Sequence, residues 1–115
     1  MEYLQVFITV PDRRTAARIS RVLLAEHRAA CVQVLGPVAS SYHWQGRVEH
    51  SREWLCIVKT GRRHYRALER RVRQLHPYEV PEIIALPVST GYRQYLEWLA
   101  GELKPVKPQV RSNRG

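Results

Sequence analysis

Residues 76–84 read HPYEVPEII, and this short stretch joins a basic amphipathic pattern to a hydrophobic one. Two prolines, Pro77 and Pro81, fix their own φ angles and bias the residue before each of them away from the helical region. We therefore expect a stiff, extended connector that holds His76, Tyr78 and two glutamates in place. These side chains either cap the preceding helix or form a site for a metal ion or a neighbouring subunit.

The segment before the connector has a helical period. In residues 62–75 apolar side chains recur at spacings of three and four, and six arginines occupy other positions. The pattern predicts an amphipathic helix with a strongly basic outer face. Those arginines either contact phosphates or form a solvated surface, and we favour the solvated surface because phosphate contacts alone provide no specificity.

Predicted strands precede and follow this helix in the sequence. A run of β-favouring residues over 3–10 predicts a central strand, and residues 83–88 predict a strand that ends near its proline. A bent strand over 30–42 and another over 53–60 predict a long β-hairpin, with its turn at 44–47.

Two further helices complete the pattern. Asp12 is placed to cap a helix that runs to about residue 28, and a last helix is predicted over residues 92–103. The order β-α-β-β-α-β followed by a helix predicts an α+β, ferredoxin-like sandwich, in which an antiparallel sheet carries helices on one face.

Composition and charge describe one basic globular domain. Hydrophobic residues are 44% and charged residues 25% of the 115, which is close to the average of folded domains. We expect a single domain over residues 1–103 and a disordered basic tail over 104–115. The formal net charge of +9 predicts weak attraction to nucleic acid, and we expect no nucleic-acid recognition beyond it.

The two cysteines and the N-terminus bear on location. Cys31 and Cys56 are the only thiols, and each stands in an apolar run, which is typical of reduced residues in a core. The sequence contains no secretory pattern and no apolar run as long as a bilayer span. We therefore expect a cytoplasmic protein without membrane contact.

Three large aromatic residues belong to the predicted hairpin: Tyr42, Trp44 and Trp54. They exceed what a small two-layer domain readily hides, and both residue types are enriched at protein interfaces. We expect self-association through them, with coverage of the sheet in their own chain as the alternative.

Six stretches carry a resemblance when they are taken in order. They are TVPD (9–12), LAEHRAACV (24–32), SYHWQG (41–46), VKT (58–60), HPYEVPEII (76–84) and YLEWL (95–99). Together they resemble the CutA family of divalent-cation-tolerance proteins over about residues 6–103. The resemblance implies a compact homotrimer in which the long hairpin of one subunit extends the sheet of the next. It also places Tyr42, Trp44 and Trp54 at or near subunit contacts.

The resemblance further implies binding of divalent metal ions, copper in particular, with no established reaction and no organic cofactor. It places His76 and Glu82 near a cleft between subunits, where they are the predicted metal ligands. Some family members carry a cysteine at the position of Ile8 and a second histidine at the position of Leu75. Copper(II) prefers several nitrogen or oxygen donors, so the subunits of a trimer would have to pool their ligands.

The sequence also bears on three other functions. Lys59 and Tyr78 could form a pocket for a small anionic ligand in a sensor or signalling trimer. An RNA-binding domain shares the element order, but the third strand lacks the glycine and aromatic residues of an RNA-reading motif. For an enzyme, the sequence contains neither a phosphate loop nor a nucleophile motif. We therefore expect a non-catalytic protein.

Overall fold

A computed structural model describes residues 1–105, and its elements follow the predicted order. Strand β1 spans Tyr3–Val10, as predicted, and every second side chain is buried. Leu4, Val6, Ile8 and Val10 are at most 4% exposed, while the alternate residues are half-buried on the other face. β1 therefore contributes one face to the core and lies inside the sheet.

Helix α1 spans Arg13–Ala25 and covers the buried face of β1 through Ala16, Ile19 and Leu23. Its first turn is capped as predicted, because the Asp12 carboxylate accepts a hydrogen bond from the Thr15 N–H at 2.7 Å. The helix ends three residues earlier than predicted. His27 takes the left-handed φ of 56°, and the Arg28 N–H turns back to the Leu23 carbonyl at 2.9 Å.

The hairpin is longer than the sequence pattern indicated. Strand β2 spans Cys31–Trp44 and strand β3 spans Arg47–Gly61, joined at Gln45 and Gly46. Those two residues have φ of 51° and 77°, the left-handed pair that a tight two-residue turn requires. The register shifts between Leu35 and Val38, which confirms the predicted bend. β3 begins six residues before its predicted start, in a stretch whose polar residues concealed the strand.

A short 3₁₀ turn at Arg62–His64 leads into helix α2, Tyr65–Leu75. Leu68 and Val72 of α2 are fully buried against the core beside α1. After the connector, strand β4 spans Ile83–Pro87 and pairs antiparallel with β1. The sheet order β2-β3-β1-β4 is that of the α+β, ferredoxin-like sandwich that the sequence predicted.

Helix α3 spans Arg93–Gly101, slightly shorter than predicted. Tyr95 lies beside Cys31, and Cys31 pairs with Lys59 on the sheet face away from α1 and α2. α3 therefore lies against one end of the second sheet face. That face is thus covered in part, while α1 and α2 cover the first.

Two histidines fix the chain after α3. The Nδ1 atom of His27 lies 2.8 Å from the Glu102 carbonyl, and the Nε2–H of His64 donates to the Lys104 carbonyl at 2.6 Å. The Lys104 N–H in turn donates to the His27 carbonyl at 2.8 Å. The predicted tail of residues 104–115 therefore begins with a bound residue, and from residue 106 it lies outside the described residues. No helix within residues 1–105 combines the length and hydropathy that a membrane crossing needs.

Candidate functional site

A cleft of about 850 Å³ opens between the connector, the end of β1 and the outer half of the hairpin. We call it the acidic cleft because four carboxylates line it and no lysine or arginine within residues 1–105 does. Three aromatic side chains also line the cleft. The carboxylates are those of Glu49, Glu53, Glu79 and Glu82, and the aromatic residues are Tyr42, Trp44 and Tyr78.

His76 fixes the start of the connector behind this cleft. α2 ends at Leu75, and the extended backbone of His76 follows at φ −80° and ψ 134°. Its ring is only 7% exposed. The Nε2 atom bonds the Thr9 carbonyl at 2.7 Å, and Nδ1 accepts the Tyr78 N–H at 3.1 Å. A carbonyl can only accept and an N–H can only donate, so the ring is the neutral tautomer with its proton on Nε2.

These two bonds define what His76 does in the folded chain. They tie the connector to β1 and hold the next turn of backbone, and the ring also packs on Tyr78 with centroids 4.8 Å apart. His76 does not line the acidic cleft. Coordination of a metal would require one of its nitrogens to give up a bond, and its role as a ligand stays a prediction.

Tyr78 links the connector to the hairpin. Its hydroxyl donates to Glu53 Oε2 at 3.0 Å, and Glu53 is only 6% exposed. Burial of the phenol and the neighbouring Glu53 carboxylate raise the pKa of Tyr78 to about 12, because both disfavour the phenolate. The pair therefore closes one side of the cleft with a charge-assisted hydrogen bond.

Glu82 lines the cleft at the end of the connector. Its Oε1 accepts a bond from the Thr9 hydroxyl at 3.4 Å, and the side chain is exposed. Within residues 1–105, no three histidine, cysteine, aspartate or glutamate side chains are grouped closely enough to hold a metal ion. One chain alone thus supplies carboxylates to the cleft but not a complete coordination sphere.

The structure brings together four of the residues that the sequence singled out: Tyr42, Trp44, Tyr78 and Glu82 all line the cleft. Trp54 does not. It pairs with buried Val10 and packs against the core on the helix-covered face, where the Arg13 guanidinium lies 4.7 Å from its ring centre. Within one chain Trp54 is therefore partly buried against the core and makes a cation-π contact, and its place at a subunit contact stays a prediction.

Lys59 is also remote from the cleft. Its Nζ donates to Gln33 Oε1 at 2.6 Å, and along β3 it lies six residues from Glu53, about 20 Å in an extended strand. The two side chains proposed for an anion pocket, Lys59 and Tyr78, do not meet within one chain.

Sequence reasoning missed Glu49, Glu53 and Glu79 as members of the site. The signal for the first two was present, since Glu49, Ser51 and Glu53 alternate along one face of β3. It was hidden because the strand was predicted to start only at residue 53. Glu79 lay in the connector itself, but only the folded hairpin shows which way it faces.

The comparisons with known proteins agree with this fold. A family model with the description "CutA1 divalent ion tolerance protein" matches residues 4–102. The "Divalent-cation tolerance protein CutA" of Thermus thermophilus is 47% identical over 94 residues, covering 82% of this chain and 91% of that protein. "Protein CutA 1, chloroplastic" of rice is 40% identical and covers 82% of this chain. The chain spans about half the length, 53%, of that plant protein.

Solved structures show the same architecture. The divalent cation tolerance protein Cut A1 from Thermus thermophilus superposes with a TM-score of 0.87 at 44% identity, covering 90% of this chain and all (100%) of that one. The crystal structure of CutA1 from Oryza sativa gives a TM-score of 0.90 at 36% identity, with coverage of 92% and 97%. The described fold is therefore shared along almost the full length of these chains.

Proposed function

The chain belongs to the CutA1 divalent ion tolerance family, and from this premise we propose that it binds divalent metal ions, copper(II) foremost, in the acidic cleft. Copper(II) binds nitrogen and oxygen donors more tightly than the other divalent first-row metals. We further propose that the protein is non-catalytic and acts in the cytoplasm in tolerance to these ions.

The observation that carries the proposal is the charge of the cleft. Four carboxylates line it, and no basic side chain of residues 1–105 lines it to balance them. A cleft lined by carboxylates without basic partners attracts cations, and it attracts a divalent cation more strongly than a monovalent one. The same charge disfavours an anionic ligand, which was the alternative prediction. Lys59, the basic residue that this alternative needs, lies outside the cleft.

A complete site then requires more than one subunit, since within residues 1–105 no three candidate ligands are grouped closely enough to hold a metal ion. We propose a homotrimer in which adjacent subunits share ligands. Exposed apolar side chains support an interface: Leu35, Ile84 and Leu86 on the sheet are about half exposed, at 49–52%, and Tyr92 and Trp98 on α3 are 70% and 47% exposed. Such patches are typical of protein contact surfaces.

Calorimetric titration of the metal-stripped protein with copper(II), zinc(II) and nickel(II) tests the metal proposal. We expect micromolar or tighter binding of copper(II), weakened at least tenfold by Glu82→Gln. Glu97→Gln, which removes a carboxylate on exposed α3 outside the cleft, is the matched control and should bind like the unaltered protein. Equal binding by the unaltered protein and Glu82→Gln would refute the assignment of the cleft.

Electron paramagnetic resonance of the copper-loaded protein separates the two predicted ligands. If His76 coordinates, the spectrum shows nitrogen hyperfine structure that His76→Ala removes. If the carboxylates alone coordinate, the spectrum shows an oxygen environment in both proteins. In the latter case His76 acts only by holding the connector.

Size-exclusion chromatography with light scattering measures the mass of the assembly and so tests the number of subunits. We expect about three times the chain mass of 13.5 kDa. Trp44, which is 47% exposed in the single chain, becomes buried if the hairpin meets a neighbour, so Trp44→Ala should shift the mass toward the monomer at low concentration. Truncation of a buried interface aromatic often costs about 2 kcal/mol or more. A monomeric unaltered protein would contradict ligand sharing.

A further inference from the structure

Two rows of arginine side chains stand on the outer surface of the helix layer. α1 and α2 lie side by side on the same face of the sheet and bury Ile19 and Leu23, and Leu68 and Val72, respectively. Each helix exposes three arginines at spacings of four and three, on the side opposite its buried residues. We call these six residues the arginine face: Arg14, Arg18 and Arg21 on α1, and Arg66, Arg70 and Arg73 on α2.

The arginine face forms no ion pair with a carboxylate of residues 1–105. Within residues 1–105 each carboxylate near these helices has another partner: Glu26 pairs with Arg28 and Arg71, and Glu2 pairs with Arg62. Asp12 caps α1 at Thr15, and Glu69 of α2 accepts the Tyr65 hydroxyl at 3.4 Å. None of the six guanidinium groups lies within 4.0 Å of a carboxylate in that part of the chain.

Charge is also segregated between the two sides of the domain. Residues 12–28 and 62–76 contain eleven arginines and only three carboxylates, so they account for nearly all of the formal net charge of +9. Seven of the ten acidic residues lie elsewhere, four of them around the acidic cleft. A solvated helix surface would ordinarily mix charges of both signs, whereas α1 contains no carboxylate and α2 contains only Glu69.

We infer that the arginine face is a docking surface for the phosphate backbone of a nucleic-acid duplex. Guanidinium groups bind phosphate oxygens in bidentate geometry. Packed helices lie about 8–10 Å apart, and residues four apart on a helix are separated by about 6 Å along it. Two such rows match the two phosphate chains that border a duplex groove of about 6–12 Å.

The contacts proposed here are made to phosphates, which carry no sequence information directly. Binding is therefore independent of sequence and depends steeply on salt. A lipid bilayer is the poorer partner. An amphipathic helix binds a membrane through its apolar face, and the central apolar residues of that face in α1 and α2, Ile19, Leu23, Leu68 and Val72, are fully buried in the core.

The helical pattern of residues 62–75, taken alone, favoured a solvated surface for its arginines. The proposed docking surface differs from that expectation. The pattern of one helix gave no indication that a second arginine row at the same spacing would lie beside it. Only the packing of α1 against α2 joins the two rows into one surface.

Fluorescence anisotropy with a labelled 20-base-pair DNA duplex, titrated between 50 and 200 mM salt, tests the inference. The face variant is Arg66→Gln/Arg70→Gln/Arg73→Gln. The control, Arg47→Gln/Arg52→Gln/Arg93→Gln, removes the same charge from positions outside the helix layer. Each lost phosphate contact lowers the slope of log affinity against log salt by about 0.9. We expect the face variant to lose roughly 2–3 in slope and at least tenfold in affinity, with a much smaller loss in the control.

Circular dichroism and light scattering establish that each variant retains the fold and mass of the unaltered protein. Should the α2 variant not fold, Arg14→Gln/Arg18→Gln/Arg21→Gln on α1 makes the same prediction. Equal losses in face and control variants would show that only total charge matters, and would overturn the inference. Binding to phosphatidylserine vesicles at least as tight as binding to the duplex would also overturn it, in favour of a membrane surface.

Discussion

The hydrogen bond between Tyr78 and Glu53 ties the connector to the hairpin, and Tyr78→Phe removes it while keeping the ring. Glu53 is 6% exposed and accepts the Tyr78 hydroxyl at 3.0 Å. A hydrogen bond to a charged group contributes about 1.5–3 kcal/mol to stability, and a buried carboxylate left without its donor bears the cost of desolvation. Because Tyr78 itself is 37% exposed, we expect the lower part of this range, about 2 kcal/mol less stability at pH 7.

The pH dependence of this loss follows from the pKa of Tyr78, raised from 10.0 to about 12 in the folded chain by burial and then by Glu53. Stability from a raised pKa is fully present below the unfolded value and is lost as pH rises through the folded value. The unaltered protein therefore loses stability between about pH 10 and 12. Discounted for the exposure of the ring, this loss is about 1 kcal/mol. Phenylalanine does not ionise, so the difference between the two proteins narrows over that range.

Urea unfolding at fixed protein concentration, from pH 7 to about pH 12, measures both effects. Other groups with raised pKa values, such as Cys56 and Tyr65, are present in both proteins and cancel in the difference. A double-mutant cycle with Glu53→Gln should give a coupling energy of about 1 kcal/mol, since the residues touch. Stability within 0.5 kcal/mol of the unaltered protein, or effects that simply add, would refute the reasoning.

Three further predictions concern the elements around the site. Thr60→Val should lower the free energy of unfolding, measured in urea, by about 1–3 kcal/mol. The fully buried Thr60 hydroxyl donates to the Arg28 carbonyl at 2.7 Å, and valine leaves that carbonyl unpaired. An unchanged urea midpoint would count against the contribution of this bond. Asp12→Ala should destabilise α1 at neutral pH. Because the Thr15 N–H lowers the pKa of Asp12, the difference in stability from the unaltered protein should disappear as the pH falls through that lowered pKa. A stability difference that persists in acid would argue for another cause. A chain ending at Gly101 should melt below one ending at Pro105, because it loses the contacts of His27 and His64 with residues 102 and 104; equal melting temperatures would show that those contacts contribute nothing.

The elements with a clear period were predictable from the sequence. β1 has the bounds that its β-favouring run predicted, and Asp12 caps α1 as its position indicated. The predictions failed at element ends, where the deciding interaction is not periodic. α1 stops at Ala25 because His27 adopts a left-handed conformation, and such a residue at a non-glycine position has no clear sequence signal.

The candidate site was predicted in part, and the reason is the distance in sequence between its members. Residues 76–84 identified the connector, its stiffness and the side chains that it carries. Sequence alone determined which residues are available, because proline geometry and helix and strand periods are local properties. Tertiary structure decided their roles. Pairing of β3 with β1 turned Trp54 into the core, and folding of the hairpin over the connector brought Glu49 and Glu53 to Tyr78. Contacts between residues 25 or more positions apart depend on strand register and helix packing, which no local pattern specifies.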